Sequence, residues 1–323
     1  MRSSPPQKLA AMLLRLLPVV FIVIWSTGWI VGKYAVPHAD PLTFLALRYA
    51  CALALLAPAA LLLGARWPAT PRLWGHAFLN GVMLHGAYLG GVWWAIAHGV
   101  PAGVSALIAA LQPLFTALAA GPLLGERLTR KRWIGVALGF AGVGLVVWPK
   151  LTGSLPLGLP LAVNVIAMVA VTAATLHQKR ALAGVDLKAL APAQYLGALA
   201  VTIPLIPLIG EFRFDATPEA FAALGWSVLV LSIAAIMLML VMIERGEVSR
   251  MAALIYLVPP VAALQAWGMF GETLGPVQFA GMGLAAVGVA LANGSGAPAS
   301  AEGCIAAKTS DDEDAAETIR RPA

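Results

Sequence analysis

Apolar stretches of about 20 residues alternate along the chain with short segments rich in proline, glycine and charged residues. A stretch of that length can cross the hydrocarbon core of a bilayer as an α-helix. The pattern predicts ten spanning helices, at residues 16–36, 42–63, 73–97, 102–124, 131–149, 157–178, 189–209, 220–243, 250–270 and 273–293. The fold class we expect is an all-α polytopic membrane protein with short connections.

The pattern occurs twice, at an offset of 146 residues. Residues 107–145 and 253–291 share 13 identities in 39 positions without a gap, including a proline and a Gly-Glu pair. Further back, Tyr49 has its counterpart in Tyr195. Matches of this kind are the signature of an internal duplication.

Each copy contains five predicted spans, and an odd number forces the second copy to enter the membrane upside down. We therefore predict two inverted five-helix repeats, an arrangement found in secondary transporters. The segments we expect are a cytoplasmic N-terminus at 1–15, the repeats at 16–149 and 150–293, and a disordered cytoplasmic tail at 294–323.

Composition and charge support a membrane protein. The chain is 60% hydrophobic and 11% charged, with a mean hydropathy of +0.85, whereas soluble domains contain about 25% charged residues. With both termini in the cytoplasm, 17 of the 21 Lys and Arg residues lie on the cytoplasmic side, as the positive-inside rule requires. We therefore expect a multi-pass protein of the inner membrane, N-in and C-in. The net charge of +6 follows from this rule, so no nucleic-acid partner is expected.

Two cysteines are present, and they cannot pair. Cys51 lies within a predicted span and Cys304 in the C-terminal tail. Neither a disulfide nor a metal framework is indicated, and we expect no cofactor.

Short motifs occur in the order typical of a known family. They are Trp25-Ser26-x-x-Trp29, Lys33, Pro41-Leu42-Thr43, Leu47-Arg48-Tyr49, Leu111-x-Pro113, Gly125-Glu126-Arg127-Leu128 and Gly135-x-x-x-Gly139-x-x-Gly142. The chain resembles a ten-span EamA-type member of the drug/metabolite transporter superfamily. This resemblance implies an inner-membrane exporter or permease for amino acids, related metabolites or drugs. The second copy departs from the pattern, since Val171-Thr172 replaces Trp25-Ser26 and Gln194 replaces Arg48.

Polar residues follow one face of the fourth span. Ser105, Gln112 and Thr116 recur at i, i+7 and i+11, and polar groups within a bilayer point away from lipid. We expect Gln112 and Thr116 to line a substrate cavity. The alternative is hydrogen bonding between helices.

Aromatic and hydroxyl side chains supply further candidates. Tyr88 lies in the middle of the third span, and with Trp25 and Tyr256 it offers ring faces to apolar or cationic groups. Thr172 and Thr175 share one face of the sixth span. We expect all five to contribute to substrate binding.

Charged residues inside or beside the spans have two interpretations each. Arg48 lies about two turns into the second span, where it can extend towards the surface and pair with Asp40, or bind a carboxylate of the substrate. His85 is either packed with hydrogen bonds or a proton relay. We expect Glu126 and Glu272 to bind the free amides of the helices that follow them.

These observations predict a secondary transporter, an exporter of amino acids or related small metabolites or drugs, working by alternating access. Its central site would be built from spans 1, 3, 4, 6, 8 and 9. Its partners are the lipid bilayer and a small-molecule substrate, and the small-residue patterns of the fifth and tenth spans allow a homodimer. A polytopic membrane enzyme is one alternative, which would need convergent catalytic groups, and a non-transporting membrane scaffold is another.

Overall fold

The computed structural model of the chain describes residues 5–112, 114–116, 118–119, 129–151, 158–238, 257–272 and 275–293. Each of the ten predicted spans contains helix within these residues. The only pairing of extended backbone in the described part is an isolated antiparallel bridge between Ala39 and Phe214. The all-α fold class is confirmed.

The first half contains α1 (Pro5–Ala35), α2 (Pro41–Leu62), α3 (Pro71–Gly81), α4 (Gly90–Ala97), α5 (Ala102–Ala109) and α6 (Arg130–Leu151). The second half contains α7 (Gly158–Ala181), α8 (Leu187–Ile209), α9 (Pro218–Gly225), α10 (Val258–Phe270) and α11 (Pro276–Asn293). A π-helical segment, Val82–Leu89, joins α3 to α4, and a second one, Trp226–Ala234, continues α9. The third span is thus one helical rod with a wider turn in its middle.

Among the described residues, five helices are long and apolar enough to cross a membrane: Leu17–Ala35, Pro41–Leu62, Gly158–Ala181, Leu187–Ile209 and Pro218–Leu238. Shorter apolar helices cover Ala102–Thr116, Trp133–Val146 and Pro276–Leu291. Large apolar side chains remain exposed on these helices, among them Leu62, Ile166 and Leu208. Such surfaces are suited to lipid.

The second and seventh spans begin with the same type of N-cap, an aspartate at equivalent positions of the two halves. The Asp40 carboxylate accepts from the backbone N–H groups of Leu42 and Thr43, and its counterpart Asp186 accepts from Lys188. These bonds satisfy amides that the first helical turn leaves free. The backbone N–H groups of Lys188 and Arg66 lower the pKa of Asp186 below its ordinary value.

Equivalent helices of the two halves pack antiparallel. At one end of α2, the Asp40 N–H donates to the carbonyl of Arg213, just beyond α8, at 2.9 Å. At the other end, the Arg66 N–H donates to Asp186, just before α8, at 3.1 Å. The two halves are therefore inverted, as predicted. We refer to these ends of the bundle as the Asp40 end and the Asp186 end.

The last helices of the two halves, α6 and α11, also pack antiparallel, through glycine. A Cβ atom at Gly142 would lie 2.4 Å from the Ala285 backbone nitrogen, and one at Gly288 would lie 2.3 Å from that of Gly139. The small-residue patterns of the fifth and tenth spans thus serve packing within one chain. A homodimer would have to use other faces of these helices.

Stacked tyrosines mark the centre of the bundle. Tyr49 and Tyr195 are both buried, and their ring centroids lie 5.7 Å apart. Because the two residues occupy equivalent positions of the two halves, the local axis of inversion passes between them.

Candidate functional site

A cavity of about 260 Å³ lies between the two halves. Its walls come from spans 1, 2 and 3 of the first half and spans 6, 7 and 8 of the second. The lining combines aromatic rings with a few polar groups, chiefly Trp25, Arg48, Tyr88, Trp93, Gln178 and Gln194. Such a mixture is typical of small-molecule sites, where apolar walls bind and sparse polar groups orient the ligand.

Among the described residues that line this cavity, Arg48 is the only charged one. It is 7% exposed, and its Nε donates to the Ser232 hydroxyl at 3.1 Å. Ser232 in turn donates to the carbonyl of Ser227 at 3.0 Å. Within the described residues the guanidinium forms no ion pair. Asp40, one of the two partners considered for Arg48, caps α2 two turns away, and the Arg48–Asp40 pair is not formed.

His85 lies in the π-helical segment of the third span and packs against the tyrosine pair. Its ring is stacked on Tyr195 with centroids 4.7 Å apart and lies 5.7 Å from the ring of Tyr49. The Tyr49 hydroxyl donates to the His85 carbonyl at 2.8 Å. The ring is packed between aromatic side chains, but its buried Nδ1 has no hydrogen-bond partner among the described residues, so the expected hydrogen-bonded packing of His85 is not formed. π-Helical turns of this kind often occur at functional sites.

A chain of three amides borders the cavity opposite the arginine. Asn80 donates to the Ala174 carbonyl at 2.7 Å, and Gln194 donates both to Asn80 at 2.7 Å and to Gln178 at 3.0 Å. Gln194 is 6% exposed. Close approach of α3 to α8 holds the network together, since a Cβ atom at Gly81 would lie 1.9 Å from the Gln194 carbonyl oxygen.

Neither Gln178 nor Gln194 was among the predicted site residues. Gln194 could have been found, because it is the counterpart of Arg48 at the 146-residue offset. Gln178 carries no such signal, since its counterpart is Gly32.

Three of the predicted site residues, Trp25, Arg48 and Tyr88, line the cavity together. Thr172 is buried and donates to the carbonyl of Met168, one turn back in its own helix, at 2.9 Å. Tyr256 lies outside the described residues.

The remaining three predicted residues form a separate group between spans 4 and 6. Gln112 donates to the Thr175 hydroxyl at 2.9 Å, and Thr116 donates to the Gln112 carbonyl at 2.9 Å. On the same face, Asn164 donates to Ser105 at 2.7 Å. The polar face of the fourth span is thus hydrogen-bonded to the sixth. Among the described residues, the cavity is lined from spans 2 and 7, where we had expected spans 4 and 9.

A second, larger hollow of about 690 Å³ lies between spans 4, 9 and 10. Its lining is apolar except for Glu272, as at Leu107, Trp267 and Phe279. Trp267 and Phe279 are more than 60% exposed, which suits contact with lipid. We therefore regard the smaller, polar cavity as the candidate site.

Glu272 has a structural role beside this hollow. Its carboxylate forms an ion pair with Lys33 and accepts from the backbone N–H groups of Ala102 and Gly103 at 3.2 and 3.4 Å. It caps α5, whereas we had expected it to cap the helix that follows it. Its counterpart Glu126 lies outside the described residues.

Within the residues that the structure describes, no three His, Cys, Asp or Glu side chains are grouped so that they could hold a metal ion. The polar groups of the described residues that line the cavity are a guanidinium, amides, phenol hydroxyls, an imidazole and indole N–H groups. This set is suited to binding a polar organic molecule through hydrogen bonds.

Two inverted helical halves enclosing such a cavity define an α-helical membrane protein of the inverted-repeat class. The sequence profile of the EamA-like transporter family matches residues 12–148 and again residues 157–294. The chain belongs to this family and is a membrane transporter.

Several relatives of known name are similar over most of the chain. The uncharacterized inner membrane transporter YedA of Escherichia coli K12 is 28% identical over 272 residues, 83% of this chain and 87% of that protein. A probable amino-acid metabolite efflux pump of Salmonella typhimurium is 25% identical over 84% of this chain and 92% of its own length. A probable terminal-alkyne amino-acid exporter of Streptantibioticus cattleyicolor is 28% identical over 62% of this chain and 66% of its own length.

One crystal structure has the same fold. It superposes with a TM-score of 0.60 and 21% sequence identity, covering 86% of this chain and 96% of that chain. At this level of identity the similarity concerns the fold alone.

Proposed function

We propose that this protein is a secondary transporter of the inner membrane that exports amino acids or related small carboxylates by alternating access. Two relatives described as an amino-acid metabolite efflux pump and an amino-acid exporter support the substrate class. YedA, described as an inner membrane transporter, supports the location.

The observation that carries the proposal is the guanidinium of Arg48. It lies inside the bundle, lines the cavity and forms no ion pair within the described residues. A buried charge is costly unless it is paired. A carboxylate of the substrate is the natural partner, because its two oxygens match the guanidinium fork.

The walls of the cavity suit the remainder of an amino-acid-like molecule. Trp25, Tyr88 and Trp93 present large rings, which bind apolar side chains and attract an ammonium group to their faces. A volume of about 260 Å³ limits the guest to a small metabolite, since drug-sized ligands occupy pockets of about 300–1,000 Å³.

Alternating access is supported by the different state of the two ends. At the Asp40 end the halves are joined by Arg213, whose guanidinium donates to the carbonyls of Val36 and Pro37 at 3.0 and 2.9 Å. Lys33 and Glu272 add an ion pair between the halves. At the Asp186 end the Arg66 N–H also joins the halves through Asp186, but the cavity reaches Leu187, the first residue of α8. Because the halves are antiparallel copies, exchanging their conformations would close this end and open the other.

The positive-inside rule predicts which end of the bundle faces the cytoplasm. The Asp186 end carries Arg66, Arg72, Lys179, Arg180 and Lys188. We therefore place that end and both termini in the cytoplasm. In this state a substrate would enter the cavity from the cytoplasm, which is one step of the proposed export cycle.

Transport of amino acids by the purified protein in proteoliposomes tests the proposal. We expect uptake of labelled amino acids in exchange for unlabelled ones inside, and we expect Arg48→Met to reduce it about 30-fold or more, because loss of a buried charge partner costs about 2–5 kcal/mol. Ser232→Ala is the matched control, since it removes the Arg48–Ser232 hydrogen bond and retains the charge. Absence of amino-acid flux in the wild type, or full flux in Arg48→Met, would overturn the proposal.

A further inference from the structure

The stacked tyrosines lie beside the cavity, which Tyr195 lines, and they mark two chemically different sides of it. Arg48 precedes Tyr49 on α2 and Gln194 precedes Tyr195 on α8, and the two helices run antiparallel. Arg48 therefore lies on the Asp40 side of the stacked rings and Gln194 on the Asp186 side. Both line the cavity. Equivalent positions of the two halves thus carry a cation on one side and a neutral amide on the other.

The direction of the amide chain is set by a backbone carbonyl. The Ala174 carbonyl can only accept, so Asn80 must turn its NH₂ group towards it. The Asn80 oxygen then accepts from the NH₂ group of Gln194, whose second hydrogen is donated to the Gln178 oxygen. The Ala174 carbonyl therefore orients the Asn80 side chain, Asn80 orients Gln194, and Gln194 orients Gln178.

This order leaves two groups without a partner among the described residues. They are the Gln194 side-chain oxygen, an acceptor, and the Gln178 side-chain nitrogen, a donor. Both side chains line the cavity. Polar groups in such a site require hydrogen-bond partners, and neighbouring donor and acceptor groups complement a carboxamide, which offers one of each.

We propose that Gln178 and Gln194 form a subsite that binds the neutral, carboxamide-like end of a substrate whose single carboxylate is bound by Arg48. This inference rests on the proposed function and defines its substrate class more narrowly. A second carboxylate at the amide subsite would meet no cation, and an unpaired buried charge is strongly unfavourable. An apolar end would leave both amide groups unsatisfied.

Ligand-induced thermal stabilisation of the purified, detergent-solubilised protein tests the subsite. The probes are L-glutamine, L-glutamate and L-methionine, which are similar in length and differ in the terminal group. Stabilisation grows with ligand concentration relative to the dissociation constant. We expect L-glutamine to stabilise the wild type more than either of the other two amino acids.

Gln178→Met is the decisive variant, because Gln178 only accepts from Gln194 in the network and methionine has a similar length. We expect the dissociation constant for L-glutamine to rise about tenfold and that for L-methionine not to rise, because one of the amide groups that an apolar end leaves unsatisfied is removed. Gln265→Met is the matched control, since Gln265 donates to the Val23 carbonyl away from the cavity.

The outcomes separate this inference from the proposed function. Equal stabilisation by L-glutamine and L-methionine in the wild type would overturn the amide subsite and leave amino-acid transport standing. An unchanged preference for L-glutamine in Gln178→Met would do the same. If no amino acid stabilises the wild type and none is transported, both proposals are wrong.

Discussion

At the scale of single residues, the contacts of an ionic group show whether it stabilises helix packing or lines the cavity. Glu272 has three partners, Lys33 and two backbone amides of α5. Arg48 has one neutral partner, Ser232, and faces a cavity. Buried charges require compensation. The charge of Glu272 is compensated by these contacts, whereas Arg48 can still bind an anionic group of a substrate.

This difference predicts unequal effects of substitution at the Lys33–Glu272 pair. We expect Glu272→Ala to reduce the stability of the protein by about 1 kcal/mol more than Lys33→Ala, because only the glutamate also caps a helix. A partly exposed ion pair by itself contributes about 0–1 kcal/mol. Thermal unfolding of the two variants in detergent measures the difference. Equal loss in both would mean that the bonds to Ala102 and Gly103 contribute no more than the contact of the Lys33 Nζ with the Phe270 ring, whose centroid lies 4.9 Å away.

At the scale of helices, the π-helical segments show a symmetry that the apolar pattern does not reveal. Val82–Leu89 and Trp226–Ala234 lie in the third span of each half. Each supplies a residue to the cavity region, His85 in the first and Leu231 in the second. Wider turns at equivalent places reposition side chains at the cavity in both halves.

The fit of α6 to α11 yields a prediction at this scale. Gly142→Ala would place a methyl group 2.4 Å from a backbone nitrogen and 2.5 Å from the Gly281 oxygen, and overpacking of this kind costs about 1–3 kcal/mol. Gly144→Ala on the same helix is the control, because a Cβ atom there meets nothing within 4 Å and alanine favours helix.

Thermal unfolding of these two variants in detergent is the measurement. We expect a lower midpoint for Gly142→Ala and an unchanged or higher midpoint for Gly144→Ala. Wild-type stability of Gly142→Ala would show that the two helices can separate without loss.

The spans and the duplication could be predicted because each depends on local sequence. The caps of α2 and α8 are equally local, although we had considered Asp40 only as a partner for Arg48. A span needs only about 20 apolar residues, and Asp40 and Asp186 bind amides within three residues of themselves. The cavity could not be predicted in the same way. Whether Gln112 faces a substrate or Thr175 depends on a neighbour 63 residues away.

At the scale of the whole molecule, the two halves have kept their backbone design and diverged in chemistry where they meet. Tyr49 and Tyr195 are identical and stacked, whereas Arg48 and Gln194 beside them differ. A common backbone is what the proposed alternating access requires, because each half would have to adopt the conformation of the other. The divergent side chains make the two sides of the cavity different, with the cation on the Asp40 side and a neutral amide on the Asp186 side.

The inverted arrangement makes a prediction about membrane sidedness, which single cysteines can test in a Cys51→Ala, Cys304→Ser background. Ala69 and Ala183 lie exposed at the Asp186 end, and Ala216 lies exposed at the Asp40 end. In intact cells we expect a membrane-impermeant maleimide to label Ala216→Cys only, and a permeant one to label all three variants. Labelling of Ala69→Cys and Ala216→Cys from the same side would contradict the inversion. If all three sites exchange sides, the two halves are still inverted, and only the assignment of both termini to the cytoplasm is wrong.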